Sequence, residues 1–235
     1  MFSKVFLAQT SREMKEFCPN KTAYMALHFS PYSAGLSNVP QALPKNSLLL
    51  LDDSMPINNH RSELICDQLK QLCTQFSPSG LLLDFQSTYN AETADMASRI
   101  VQALPCPVAV TEPYARNLRC PVFLAPPPVN KSLEKYLAPW QAQGIFLEIA
   151  REQTQFTVTE KGCKICNLPN AQALPLINKA CHCHYKVEIF PKQIIYTLQR
   201  TKADLADLAE EAYGLGVSGV VGLYQELSDH AGIEV

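Results

Sequence analysis

Short apolar runs separated by stretches of helical periodicity recur along this chain, and they restrict its fold more than any other feature. They are Tyr24 to His28, Leu48 to Leu51, Leu81 to Phe85, Val108 to Val110, Val122 to Leu124, Ile145 to Ile149, Ile194 to Leu198 and Val217 to Leu223. Runs this short, apolar and bounded by turn residues suit strands covered on both faces, as in a parallel sheet. Their count, about eight, is the number a closed parallel barrel requires.

The intervening segments carry helix signals. Leu64, Ile65, Leu69, Leu72, Cys73 and Phe76 form one apolar face. Ala94, Ala97, Val101 and Leu104 form another, with Asn90 placed to cap its N-terminus. Leu133, Tyr136, Leu137 and Trp140 share a face that Pro139 should end or kink. Thr201 and Asp204 read as a capping box ahead of Leu205, Leu208, Ala209, Ala212 and Tyr213, and Gly214 and Gly216 close that helix.

The alternation is incomplete. Residues 30–47 are rich in Pro, Ser and Gly, and the gap between Val110 and Val122 has no room for a long helix. Between Ile149 and Ile194, Phe156 to Thr159 and Tyr185 to Ile189 alternate polar with apolar, the pattern of exposed antiparallel strands. The expected architecture is an α/β fold: a degenerate (β/α)8 TIM-type barrel forming a single domain over residues 1–235. A small β-rich insertion is expected at residues 151–193.

Composition narrows the functional classes. Hydrophobic residues make up 47% and charged residues 18% of the 235, enough for a sizeable core. A net charge of -2 offers no basic excess for a phosphate backbone, so nucleic acid is not an expected partner. No run approaches the roughly 18 apolar residues of a membrane span, and the stretch Met1 to Gln9 is too short for a secretory h-region. Nine scattered cysteines suit reduced thiols. These features predict a cytoplasmic protein with no membrane partner.

Polar residues stand at the strand ends. His28 closes the first run, Asp52 and Asp53 the second, and Asp84 and Gln86 the third. Thr111 and Glu112 follow the fourth, Glu148 lies near the end of the sixth, Arg200 follows the seventh, and Gln225 and Glu226 follow the eighth. Barrel strand ends converge on one face, so these side chains would line one cleft. Converging carboxylates suit acid/base chemistry on a polar ligand such as a sugar. Polar residues at strand ends are also what solvent exposure alone would select, and Asp52 with Asp53 could simply begin a turn. Asp84 and Glu148 stand out because each follows residues that should be buried.

The segment Ser79-Gly80-Leu81-Leu82-Leu83-Asp84-Phe85-Gln86 resembles the strand signature of the chitinase-like family 18 glycoside hydrolases, Asp-Gly-x-Asp-x-Asp-x-Glu. Gly80 and Asp84 match. Ser79 and Leu82 replace the first two aspartates, and Gln86 stands where the family has its catalytic glutamate. In that family the glutamate protonates the glycosidic oxygen and the acetamido group of the substrate attacks the anomeric carbon. A glutamine amide has no proton to give at neutral pH, although it can hydrogen-bond a hydroxyl or acetamido group. The resemblance implies a barrel that acts on or recognises a carbohydrate.

In that reading Asp84, Glu112 and Glu148 are the candidate catalytic residues, with Glu112 or Glu148 as the acid. His28, Asp52, Gln86, Arg200 and Gln225 are the candidate contacts to a small-molecule or oligosaccharide ligand. The alternatives are a binding or scaffold barrel that has lost the catalytic acid, and a barrel enzyme of other chemistry with Arg200 on an anionic substrate.

Cys163 and Cys166 have zinc-knuckle spacing, and Cys181, His182, Cys183 and His184 follow. A Cys-x-Cys second half is unusual for zinc, and cysteine is used freely elsewhere, so no metal or other cofactor is expected. Walker, dinucleotide-binding and nucleophile-elbow patterns are missing from the sequence.

Overall fold

The computed structural model describes residues 4–31, 35–57, 61–168 and 174–228. Its strands are β1 (Phe6–Gln9), β2 (Thr22–Phe29), β3 (Leu36–Ser37), β4 (Leu48–Asp52), β5 (Gly80–Asp84), β6 (Val108–Thr111), β7 (Val122–Leu124) and β8 (Ile145–Ile149). Then come β9 (Glu152–Thr159), β10 (Gly162–Asn167), β11 (Leu176–Asn178), β12 (Cys183–Phe190), β13 (Gln193–Arg200) and β14 (Gly219–Leu223). The helices are α1 (Ser11–Glu16), α2 (Ser62–Phe76), α3 (Ala91–Ala103), α4 (Glu112–Ala115), α5 (Leu133–Leu137), α6 (Lys202–Gly214) and α7 (Tyr224–Leu227).

Strands β1, β2, β4, β5, β6, β7, β8 and β14 pair in parallel in that order, and β14 pairs with β1 to close the ring. The chain therefore forms the expected (β/α)8-type barrel, and closure leaves that sheet without a free parallel edge. β3 adds only a two-residue antiparallel pairing to β2. The helical layer is uneven, as the sequence indicates. α2 and α3 are full helices, no helix lies in the described residues between β2 and β4, and α4 has one turn.

Two sets of buried side chains follow from the period of two along each strand. Phe6, Ala8, Ala23, Leu48, Leu50, Leu82, Ala109, Phe123, Phe146 and Val221 fill the barrel interior. The alternate residues, among them Leu49, Leu51, Leu81, Leu83, Val110 and Leu147, pack outward against Ile65, Leu69 and Phe76 of α2, Met96 and Ile100 of α3, and Leu205 and Leu208 of α6. The caps expected for α3 and α6 are in place. Asn90 accepts from Thr93 N at 2.8 Å, and Thr201 and Asp204 form a reciprocal capping box.

One strand assignment needs correcting. Ile194 to Leu198, read from sequence as the seventh barrel strand, lies in β13 of a separate antiparallel sheet ordered β10-β9-β13-β12-β11. The ring of eight is completed instead by β1, a buried strand of only four residues that is not among the apolar runs picked out from sequence. The misreading has a physical cause. Ile194, Tyr196 and Leu198 share one sheet face with Phe156, Val158, Val187 and Ile189, and that face is apolar although Tyr196, Val187 and Ile189 remain exposed. The antiparallel sheet runs from Glu152 to Arg200, past the expected boundary at residue 193.

Arg200 fastens this sheet to the barrel. It is 2% exposed. Its Nε donates to His182 O at 3.2 Å, Nη1 to Pro127 O at 3.1 Å and Nη2 to Cys181 O at 3.0 Å. His182 Nε2 lies 2.6 Å from Glu211 and His184 Nε2 lies 3.4 Å from Asp204, so both imidazoles brace the sheet on α6. Replacing Arg200 by leucine leaves three carbonyls without this donor. Arg200→Leu is expected to lower stability by about 3 kcal/mol, read as a shift in the denaturant midpoint at unchanged slope.

Candidate active site

The strand alternation that fills the barrel also selects the site. Asp52 follows Leu50 by two residues, Asp84 follows Leu82 by two, and Glu148 follows Phe146 by two. Each carboxylate is therefore the next inward position after a residue of the barrel core, at the C-terminal mouth. In the sheet register His28 stands beside Asp52, and Asp52 beside Asp84.

Two hollows meet at the mouth. An inner one of about 80 Å³ is lined by Ala8, Met25, Leu50, Asp52, Asp84, Phe123, Glu148, Val221, Gly222 and Leu223. An outer cleft of about 440 Å³ is lined by Asp84, Phe85, Gln86, Thr111, Glu112, Pro113, Phe123, Ala125, Pro126 and Glu148. Asp84, Phe123 and Glu148 border both, so β5, β7 and β8 bring two acids together around one aromatic ring.

Hydrogen bonds fix the exits of β4 and β5. His28 Nδ1 lies 2.8 Å from Asp52 Oδ1, which also accepts from Ser54 Oγ at 2.6 Å. Asp53 accepts from Gln86 N at 2.9 Å, from Ser87 N at 3.0 Å and from the Ser87 hydroxyl. The Gln86 Nε2 amide reaches back to both oxygens of Asp84 at 3.1 Å. Asp53 thus holds the backbone that presents Gln86. Asp53→Ala is expected to free the Gln86–Ser87 turn, with faster amide exchange at both residues at an intact fold.

The surroundings favour protonated acids. Burial pushes the Asp84 carboxyl above its ordinary pKa; the Gln86 amide opposes this, and the charges of Asp52 and Asp53 add to it. Glu148 is pushed up to about 7, chiefly by burial and further by Asp84 and Glu226. A carboxyl of that pKa is divided between acid and base near neutral pH, as a proton donor requires.

The other expected site residues are placed differently. Glu112 borders the outer cleft, but it opens α4 and pairs with Arg116 at 2.7 Å. Gln225 is exposed on α7, where its amide donates to Glu13, part of the capping box of α1. It lines neither hollow, and neither does Arg200, whose guanidinium is committed to the three carbonyls beneath the antiparallel sheet.

Tyr136 lines neither hollow but lies behind the outer cleft, against its lining residue Ala125. Its hydroxyl donates to Ala125 O at 3.0 Å, and its pKa is pushed up to about 12 by burial and by the nearby charges of Glu112 and Glu148. The sequence shows it only as part of an apolar helix face. The sequence leaves Asp53 as either a strand-end residue of the cleft or the start of a turn. Its role is visible only once β4 and β5 lie side by side.

The cysteine pairs do not converge. Cys163 and Cys166 sit three residues apart on β10 and so point to opposite faces, while Cys181 and Cys183 are buried near β12, three strands away. Among the described residues no group of three or more His, Cys, Asp or Glu side chains is placed to hold a metal ion. Among them, too, no helix is long and apolar enough to cross a membrane.

Comparison with solved structures places this architecture. A chitinase from Chromobacterium violaceum superposes with a TM-score of 0.58 at 11% identity, covering 97% of this chain and 96% of that one. The chain has the fold of the family 18 chitinases. A family 18 chitinase from Cycas revoluta bound to allosamidin gives 0.58 at 10% identity, over 93% of this chain and 94% of that one. The Bacillus cereus spore cortex-lytic enzyme SleL gives 0.51 at 8% identity, over 93% and 71%. No protein-family model matches the sequence, and no curated protein matches it.

Proposed function

We propose that the barrel mouth binds a β-linked amino-sugar polymer and that Glu148 is the group able to donate a proton to it. One observation carries this reading: a carboxyl whose pKa is pushed up to about 7 shares a cleft of about 440 Å³ with a second half-buried acid, Asp84. The fold shared with chitinases and with a spore cortex-lytic enzyme supports chitin-type and cortex-type glycans as the first ligands to test. In this proposal Asp84 orients the ligand or stabilises positive charge at the reacting carbon, and Gln86 donates a hydrogen bond from the rim. His28 and Asp52 form the adjoining polar wall.

Gln86 favours a second reading. Its amide already occupies the Asp84 oxygens and cannot protonate a leaving group, which suits a barrel that binds a glycan without cleaving it. Product mass spectrometry with N-acetylglucosamine oligomers and cortex fragments separates the two. Cleavage abolished in Glu148→Gln supports the enzyme. Saturable binding lost in Asp84→Ala, with intact oligomers, supports the binding barrel. Neither binding nor cleavage of any glycan would sink both.

A further inference from the structure

At the opposite end of the barrel from the site, Cys73 Sγ and Cys106 Sγ approach to 3.5 Å. Cys73 lies in the last turn of α2, and Cys106 lies in the segment leading into β6. Both backbones are held. Ser77 N donates to Cys73 O at 3.0 Å, Leu104 N to Ile100 O at 3.2 Å, and Leu81 N to Pro107 O at 3.0 Å. Pro105 and Pro107 flank Cys106 and restrict its segment further. The two sulfurs are thus positioned by rigid neighbours and need only a small approach to bond. We propose that Cys73 and Cys106 are a site of reversible oxidation that closes a disulfide around residues 73–106, the loop containing β5 with Asp84 and Gln86.

Accessibility sets the order of events. Cys73 is buried at 8% exposure and Cys106 is half-buried, so an oxidant meets Cys106 first. The Cys73 thiol, hydrogen-bonded to Cys106, lowers the Cys106 pKa and thereby raises its thiolate fraction. The co-reactant is a small disulfide such as oxidised glutathione. The Cys106 thiolate attacks one of its sulfurs, forming a mixed disulfide and releasing one glutathione thiolate. Cys73 then loses its proton and attacks Cys106 Sγ, releasing the second. Two protein thiols lose two electrons and two protons, and one glutathione disulfide becomes two glutathione thiols.

The test incubates the folded full chain with glutathione disulfide, blocks remaining thiols by alkylation and maps peptides by mass spectrometry. The expected result is a linked Cys73–Cys106 peptide that dithiothreitol reverses, with a melting temperature raised by about 5–10 °C from loop closure in the unfolded chain. In Cys73→Ala, Cys106 should instead accumulate the glutathione adduct. The exposed thiols of Cys18 and Cys163 report that oxidant is present. The proposal is overturned if Cys106 in the unaltered chain stops at the glutathione adduct, or if it stays free while Cys18 is modified.

Discussion

Glu148→Gln is expected to lower the rate of glycan cleavage by about 10²–10⁴-fold, the usual contribution of one general acid. In the unaltered protein the cleavage rate should fall as pH rises through about 7, where Glu148 loses its proton. The same substitution should stabilise the fold above neutral pH. The folded carboxyl keeps its proton up to about pH 7, whereas the unfolded one releases it near its ordinary value of 4.5. Between those values the native state binds more protons, so stability falls as pH rises, and above pH 7 the full penalty applies. A glutamine carries no such penalty. The gain should be on the order of 2–3 kcal/mol at pH 8 and vanish near pH 4. Denaturant titrations at both pH values read it directly. A Glu148→Gln protein that cleaves normally, or one whose stability does not depart from the parent between pH 4 and 8, removes Glu148 from the site.

Gln86→Glu should produce the second large effect, in the opposite direction. The amide now sits 3.1 Å from both Asp84 oxygens. A carboxyl there restores the acid of the chitinase-like signature beside the matching aspartate. Two carboxyls at this separation cannot both ionise, so the pair would retain a proton near neutral pH. Cleavage of N-acetylglucosamine oligomers is expected to rise by about 10²-fold or more, at a cost in stability above pH 7 from like-charge repulsion. Products unchanged in a folded Gln86→Glu protein would show that the resemblance stops at the barrel and that the cleft performs different chemistry or none.

The barrel was legible because its cause is local. Leu48 to Leu51 and Leu81 to Leu83 cannot be exposed, and successive apolar strands with helices between them have few ways to be covered other than a closed parallel sheet. The caps at Asn90 and Thr201 were equally readable, since a cap and its helix are neighbours in sequence. Asp84 and Glu148 are singled out as candidates from position alone, each the first polar residue after a buried apolar run within its strand.

Where sequence reasoning failed, the deciding contacts were distant. β13 carries as many apolar residues as a barrel strand, and only its pairing with β9 and β12 assigns it to the other sheet. Arg200 looked like a strand-end anion ligand because nothing near it in sequence reveals Pro127 O or Cys181 O. Gln225 likewise turns to Glu13 across the closure of the barrel.

Sequence by itself determined the fold class and which carboxylates would reach the mouth, because strand period and burial are properties of adjacent residues. Only the tertiary structure decided which of those carboxylates share a cleft, which cation is spent on the scaffold, and that burial and the charges of Asp84 and Glu226 push the Glu148 pKa up to about 7. Desolvation and charge coupling depend on neighbours that the chain brings together from far apart.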